Sequence, residues 1–251
     1  MIEQLQAGSE FVEIEYPPCN LESQEPPLET ELHLRQIILL IQMLEYLWQD
    51  RQDFYAFGNL TIYYSLNQKK SEEFRGPDFF VVLDTERKTR KSWTVWEEGG
   101  KYPHVIIELL SDSTQKVDRE EKRHIYQDVF RTPEYFWFSP DTLEFKGLAL
   151  VDWHYQEIQP NENGWFWSKQ LELFLGIHEG KLRFITPEGE MAPTPQEVAQ
   201  LEKQQRAIAE QKAQRAEQQL ETEHQQKEAA ERQNEILKAK LRELNIDPDT
   251  L

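Results

Sequence analysis

One cysteine, Cys19, stands in 251 residues, so the chain cannot close an internal disulfide. That fits a reducing compartment and points to the cytoplasm. Long apolar runs are missing too. The longest, such as Ile37 to Ile41, are far shorter than the roughly 20 residues a membrane-spanning helix needs. Residues 1–15 are acidic and lack a basic segment followed by an apolar one, so no secretory leader is expected. Bases are scarce: 28 Lys and Arg face 46 Asp and Glu, for a net charge of −18. From residue 193 onward there are 12 acids and 9 bases, so −15 of that charge belongs to the residues before 193. A protein that grips DNA through its phosphates carries a basic footprint. The charge therefore argues against avid, nonspecific DNA binding by a monomer, while leaving room for a local basic patch or a metal-assisted site. The six histidines are scattered without ligand spacing, which argues against zinc.

What is present points to a globular body. Hydrophobic residues make up 38% and charged residues 29%, with plentiful Trp, Tyr and Phe, a composition that buries a core. Two apolar runs organise it: Gly76-Pro77-Asp78-Phe79-Phe80-Val81-Val82-Leu83 and Pro103-His104-Val105-Ile106-Ile107-Glu108-Leu109-Leu110-Ser111. Val, Ile and Phe dominate both, as in strands buried on both faces of a sheet. Each carries one acid. An ionised carboxylate in such surroundings is costly unless it is paired or holds a metal. Two acids on neighbouring strands are able to clamp a hard divalent cation such as magnesium.

In chain order, Glu10 to Tyr16 alternates weakly enough to be at most an edge strand, and prolines 17, 18, 26 and 27 break the segment up to the first helix. Thr30 caps a helix over 31–50 whose inward face carries Leu32, Ile37, Ile38, Ile41, Leu44, Leu47 and Trp48. Residues 54–65 read as a strand or hairpin arm, and 67–75 as a polar turn region. Residues 85–102 form an insertion between the two acid strands, a surface loop able to return and cover the sheet. After a polar loop, 111–117, Asp118 caps a helix over 119–130 with Ile125, Tyr126 and Val129 inward. Asp118, Lys122 and Tyr126 then share one face. Residues 134–138 form another buried strand. Segments 143–151 and 153–158, and short strands near 171–175 and 182–185, complete an antiparallel tail to the sheet. Residues 196–245 contain no Gly or Pro and form one long helix. A heptad can be written from Ala213, but only its last turns make a convincing seam, so a weak coiled coil is expected. The boundaries are an N-terminal extension, 1–27; an α/β (α+β) core with a central mixed sheet flanked by helices, 28–190; and a helical tail, 191–251.

Each candidate has a plainer role. Asp78 reads equally as a turn residue opening a strand. Glu108 is harder to explain away, because strand interiors disfavour acids. Lys122 reads as a site lysine or as a surface partner of Asp118. Glu31 reads as a first-turn helix acid, and Asp118 as a helix cap. Trp93, Trp96, Trp137, Trp153, Trp165 and Trp167 read as core and strand-pair residues before base-stacking platforms.

Strand with acid, strand with acid, then a helix with lysine resembles the PD-(D/E)XK nuclease superfamily. More narrowly, the chain resembles its restriction-endonuclease-like family abundant in cyanobacteria, formerly a domain of unknown function. The matching stretches are Gly76-Pro77-Asp78; Pro103 through Ser111 with Thr114 and Asp118; Lys122 and Tyr126; and Glu134-Tyr135-Phe136-Trp137-Phe138. Together they span about residues 28 to 190, and the tail ending in Leu244-Asn245-Ile246-Asp247-Pro248 is similar to tails in that family. The resemblance implies a restriction-endonuclease-like core and Mg2+-dependent hydrolysis of DNA phosphodiester bonds, with Mn2+ able to substitute. Asp78, Glu108 and the Leu109 carbonyl would hold the metal, Lys122 would be catalytic, and Glu31 and Asp118 would be outer-shell acids. A homodimer through the C-terminal helix would bring two sites to two strands. The departure from the superfamily's motif is Leu110, where its lysine stands; Lys122 from the following helix is the substitute. The alternative is a degenerate nuclease fold acting as a nucleic-acid- or protein-binding module assembled through that helix. A third class, a coiled-coil interaction protein with a globular scaffold, is separated by divalent-cation binding.

Overall fold

The computed structural model describes residues 4–7, 10–13, 19–25, 30–64, 74–110 and 122–243. The chain divides into two units, 1–195 and 196–251.

The first unit opens with a hairpin of β1 (Gln4–Ala7) and β2 (Glu10–Glu13). Thr30 accepts a hydrogen bond from the His33 amide at 3.3 Å and so caps α1 (Glu31–Leu47). Then come β3 (Phe54–Phe57), β4 (Ile62–Tyr63), β5 (Phe74–Arg75), β6 (Phe79–Leu83), β7 (Trp93–Thr94) and β8 (Val105–Leu109). A helical crossover, described from residue 122, leads to β9 (Glu134–Phe138). β10 (Phe145–Val151), β11 (His154–Glu157), β12 (Phe166–Ser168), β13 (Leu173–His178) and β14 (Lys181–Ile185) complete the unit.

The central sheet has six strands in the order β11-β10-β9-β8-β6-β3. All its neighbours are antiparallel except β8 and β9. A parallel pair needs a long crossover, and this one delivers Lys122 and Tyr126 over the sheet. One face buries Phe79, Val81, Val105, Ile107 and Phe136 against α1 and the β12–β14 sheet. The other buries Phe80, Val82, Ile106, Tyr135 and Leu148 against Trp93, Ile62, Tyr126 and Phe130.

Four expectations are corrected. Residues 54–65 are not one arm: β3 joins the central sheet and β4 a small one with β5 and β7, separated at Gly58 and Asn59, the latter at φ 50. The last strands do not extend the central sheet but form a separate β12-β13-β14 sheet packed on its face. The inward face of α1 is rotated. His33, Gln36, Leu40 and Met43 are buried, whereas Leu32 is 52% and Ile38 42% exposed. Gln36 is stable inside because its amide donates to the Leu182 carbonyl (2.9 Å) and accepts from the Leu182 N–H (3.1 Å), meeting both needs of a buried amide. Val129 points outward. The crossover widens to a π-helical turn over Ile125–Val129, with the Phe130 N–H donating to the Ile125 carbonyl at 2.9 Å. Five-residue spacing brings Phe130 inward where four-residue spacing would bring Val129.

The insertion between the acid strands does return over the sheet. Trp93 is fully buried against Tyr55 and Phe80, and Arg90 is clamped by both Glu98 oxygens at 2.6 and 2.9 Å.

The second unit is α2 (Pro195–Glu243), a single 49-residue helix. Its Leu201, Ile208, Leu220, Ile236 and Leu237 are all more than half exposed, and pairs such as Glu228 with Arg232 brace its surface. Among the described residues no helix is long and apolar enough to cross a membrane.

Candidate active site

The site is built where β6 begins and β8 ends. The antiparallel register pairs Phe79 with Ile107; continued one step, it sets Asp78 opposite Glu108. Opposed residues point to the same face, here the face covered by the crossover. The Asp78 backbone is fixed from the turn after β3: the Asn59 N–H donates to the carbonyls of Pro77 and Asp78 at 3.1 and 3.3 Å. Gly58 is required beside it, because a Cβ there would overlap the Asp78 carbonyl oxygen.

Glu108 is 2% exposed, on the face of β8 that also buries Ile106. Two donors from one turn of the crossover hold it. Lys122 Nζ lies 3.0 Å from Oε2, and the Tyr126 hydroxyl donates to Oε1 at 2.6 Å. Residues four apart on a helix share a face. Asp78 Oδ2 accepts from the Leu109 N–H at 2.7 Å. In a strand the N–H and C=O of one residue leave by the same edge, so the Leu109 carbonyl also faces the β6 side.

The electrostatics are those of a crowded acid pair. Burial, the charge of Glu108 and a hydrogen bond with the Glu108 carboxyl hold the Asp78 carboxyl well above its ordinary range, against the opposing pull of Lys122 and the Leu109 amide. Burial and the neighbouring Glu108 likewise push the Tyr126 hydroxyl well up, so it remains a proton donor at neutral pH.

Thus Asp78, Glu108, Leu109 and Lys122 come together. Glu31 does not join them: its carboxylate pairs with Arg35 at 2.6 Å on an exposed part of α1, and α1 covers the opposite face of the sheet. Asp118 lies outside the described residues. Tyr126 is the member that sequence reasoning places in the core without a site role. Its spacing of four from Lys122 is the available signal.

Position 110 also has an explanation. Leu110 is 7% exposed, with its N–H donating to the Phe138 carbonyl at 2.8 Å. A lysine there would lose most of its hydration, whereas the Lys122 side chain, 23% exposed, keeps part of it.

The donors fit a hard cation. Two carboxyl groups forced together, one held well above its ordinary range by burial and by the charge of the other, gain from a positive charge between them, and oxygen donors suit Mg2+. Among the described residues no group of three or more His, Cys, Asp or Glu could hold a metal ion, so the site offers two acids and a backbone carbonyl.

A mixed sheet with an acid pair at the ends of adjacent strands and a lysine from the crossover defines a restriction-endonuclease-like protein. The chain belongs to the Uma2 family, described as "Putative restriction endonuclease", whose model matches residues 12–183. No curated protein matches it. Among solved structures it is similar to one titled as a "putative nuclease belonging to DUF820" from Anabaena variabilis, at 12% identity and a TM-score of 0.41, covering 59% of this chain and 77% of that one.

Proposed function

We propose that the protein is a Mg2+-dependent endonuclease that hydrolyses DNA phosphodiester bonds. The observation that carries this reading is the contact of the Lys122 ammonium with Glu108, whose carboxyl meets that of Asp78. Asp78, Glu108 and the Leu109 carbonyl would hold Mg2+, which when bound polarises a phosphate and lowers the pKa of a coordinated water. Lys122 orients the attacking water and offsets negative charge on the phosphate as the new bond forms. Tyr126 fixes the Glu108 carboxylate by donating to its Oε1. The buried sheet face beneath keeps bulk water from the acid pair.

Purified protein incubated with supercoiled and linear DNA and Mg2+ or Mn2+ tests this. Cleavage that chelation abolishes and that Asp78→Ala loses supports the assignment. Equal trace cleavage by wild type and Asp78→Ala would assign the signal to contamination.

The reading includes a homodimer through α2 acting in the cytoplasm. The exposed apolar residues of α2 and the lone cysteine support these two points. Sedimentation giving a monomer both with and without residues 196–251 would contradict the dimer.

A further inference from the structure

The Gly76-Pro77-Asp78 stretch opens on a glycine that its backbone does not require. The φ of Gly76 lies outside the left-handed region that favours glycine. What excludes a side chain there is Glu25: a Cβ on Gly76 would fall on the Glu25 carboxyl. An acid from the N-terminal segment therefore lies against the backbone two residues ahead of Asp78, a span of at most about 7 Å along the chain.

The place matters because Asp78 stands just before β6, where the chain changes sheets. β5 pairs in the small β5-β4-β7 sheet and β6 in the central one. β3 and β4 make the same change across Gly58 to Thr61. Ladder bonds stop at these two linkers, so other bonds must set them. One comes from the Asn59 N–H to the Pro77 and Asp78 carbonyls. Glu25 supplies the other. Its Oε1 accepts from the hydroxyl of fully buried Thr61 at 3.0 Å, while the same carboxyl covers Gly76. It thus joins the two linkers whose relative placement sets Asp78. Glu25 is itself fastened by its neighbours. The Gln24 N–H donates to Thr61 Oγ1 at 2.8 Å, the Thr61 N–H to Ser23 Oγ at 3.2 Å, the Tyr63 hydroxyl to the Glu22 carbonyl at 2.9 Å and the Ser92 hydroxyl to the Leu21 carbonyl at 2.7 Å. Residues 21–25 are in this way laced across the small sheet.

Resting on the nuclease reading, we propose that Glu25 is a positioning residue for the acid pair, a clasp between Thr61 and Gly76 that holds Asp78 where it shares a cation with Glu108. Among the described residues no third acid completes a metal site, so Glu25 acts through the backbone of residues 76–78 and not as a ligand. Glycine at position 76 is the room its carboxyl needs. Groups that orient a metal ligand from behind matter nearly as much as the ligand itself.

The test is the Mg2+ affinity of the folded full chain by isothermal titration calorimetry, with each variant's fold checked by its melting curve. A merely structural loss lowers the melting temperature and leaves the affinity of the folded protein unchanged. Glu25→Ala lowers Mg2+ affinity about 10–100-fold, the usual effect of losing a partner that orients a metal ligand. Glu25→Gln keeps an acceptor for Thr61 and fills the same space, so it retains affinity within about threefold, well inside that loss. Gly76→Ala drives the carboxyl away and lowers affinity as Glu25→Ala does. In a Glu25→Ala background that space is vacant, and adding Gly76→Ala costs nothing further; such non-additivity marks residues that act as one. Unchanged affinity in a folded Glu25→Ala, equal loss in Glu25→Gln, or additive losses in the double variant overturns the clasp. Any of these beside a wild type that binds Mg2+ and nicks supercoiled DNA overturns the clasp alone. A wild type that neither binds Mg2+ nor nicks DNA overturns the nuclease reading and the clasp with it.

Discussion

The Tyr126 hydroxyl donates to Glu108 Oε1 at 2.6 Å while Lys122, one turn earlier, takes Oε2 at 3.0 Å. A single turn of the crossover thus holds both oxygens of a carboxylate that the sheet has almost wholly removed from water.

Tyr126→Phe keeps the ring and its packing but removes one donor to a buried charge-bearing group. Such bonds contribute about 1.5–3 kcal/mol, and urea unfolding at neutral pH should register a loss of that size. In a Glu108→Gln background the same change should cost less, because no carboxylate is left short of a donor. Equal cost in both backgrounds would mean that the hydroxyl does not act through Glu108.

Asp78 makes stability depend on pH in a definite sense. Its folded-state pKa lies well above the ordinary 3.8, so the unfolded chain releases this proton first as pH rises. The folded state then binds more protons than the unfolded state, and stability falls as pH climbs from about 4 through the raised pKa. Asp78→Asn removes that component. In thermal melts without divalent cations the variant should exceed the wild type near neutral pH, with the gap closing toward pH 4. A constant gap across that range would show that Asp78 titrates normally. Added Mg2+ should stabilise the wild type and leave Asp78→Asn nearly unmoved.

Gly58→Ala separates backbone placement from chemistry. The added methyl would overlap the Asp78 carbonyl oxygen and crowd Ile37 Cγ2. Backbone cannot step aside as a side chain does, so Asp78 shifts. Overpacking of this kind costs about 1–3 kcal/mol. Mg2+-induced stabilisation should drop although no acid has been removed. Unchanged Mg2+ binding in a folded Gly58→Ala would disconnect this turn from the site.

Whether a residue is legible in the sequence depends on what it must satisfy. An acid inside a run of Val, Ile and Leu has few reasons to be there, so Glu108 stands out, whereas Asp78, which opens its run, reads equally as a turn residue. Tyr126 does not, because an aromatic residue at helical spacing is ordinarily core, and only the position of Glu108 turns its hydroxyl toward a function. Four-residue spacing puts Val129 inward, and a π-helical turn breaks that spacing without an obvious mark in sequence. His33 and Gln36 are easily missed on α1 because hydropathy ranks Leu32 and Ile38 above them. The bonds from Gln36 to Leu182 span 146 residues, a distance that local pattern does not reach. For the same reason β13 and β14 read as further strands of one sheet: periodicity marks a strand but not its partner.

The central claim is that a lysine carried by the crossover does the work that Leu110 cannot. The most direct measurement is the initial rate of nicking of supercoiled DNA in saturating Mg2+ by Lys122→Ala, beside wild type and Glu108→Ala, with each protein's fold checked by its melting curve. Loss of a group that orients water and stabilises transition-state charge costs about 10²–10³-fold, so Lys122→Ala should fall at least a hundredfold and approach Glu108→Ala. A folded Lys122→Ala that nicks DNA within about twofold of wild type, while Glu108→Ala is inactive, would contradict it.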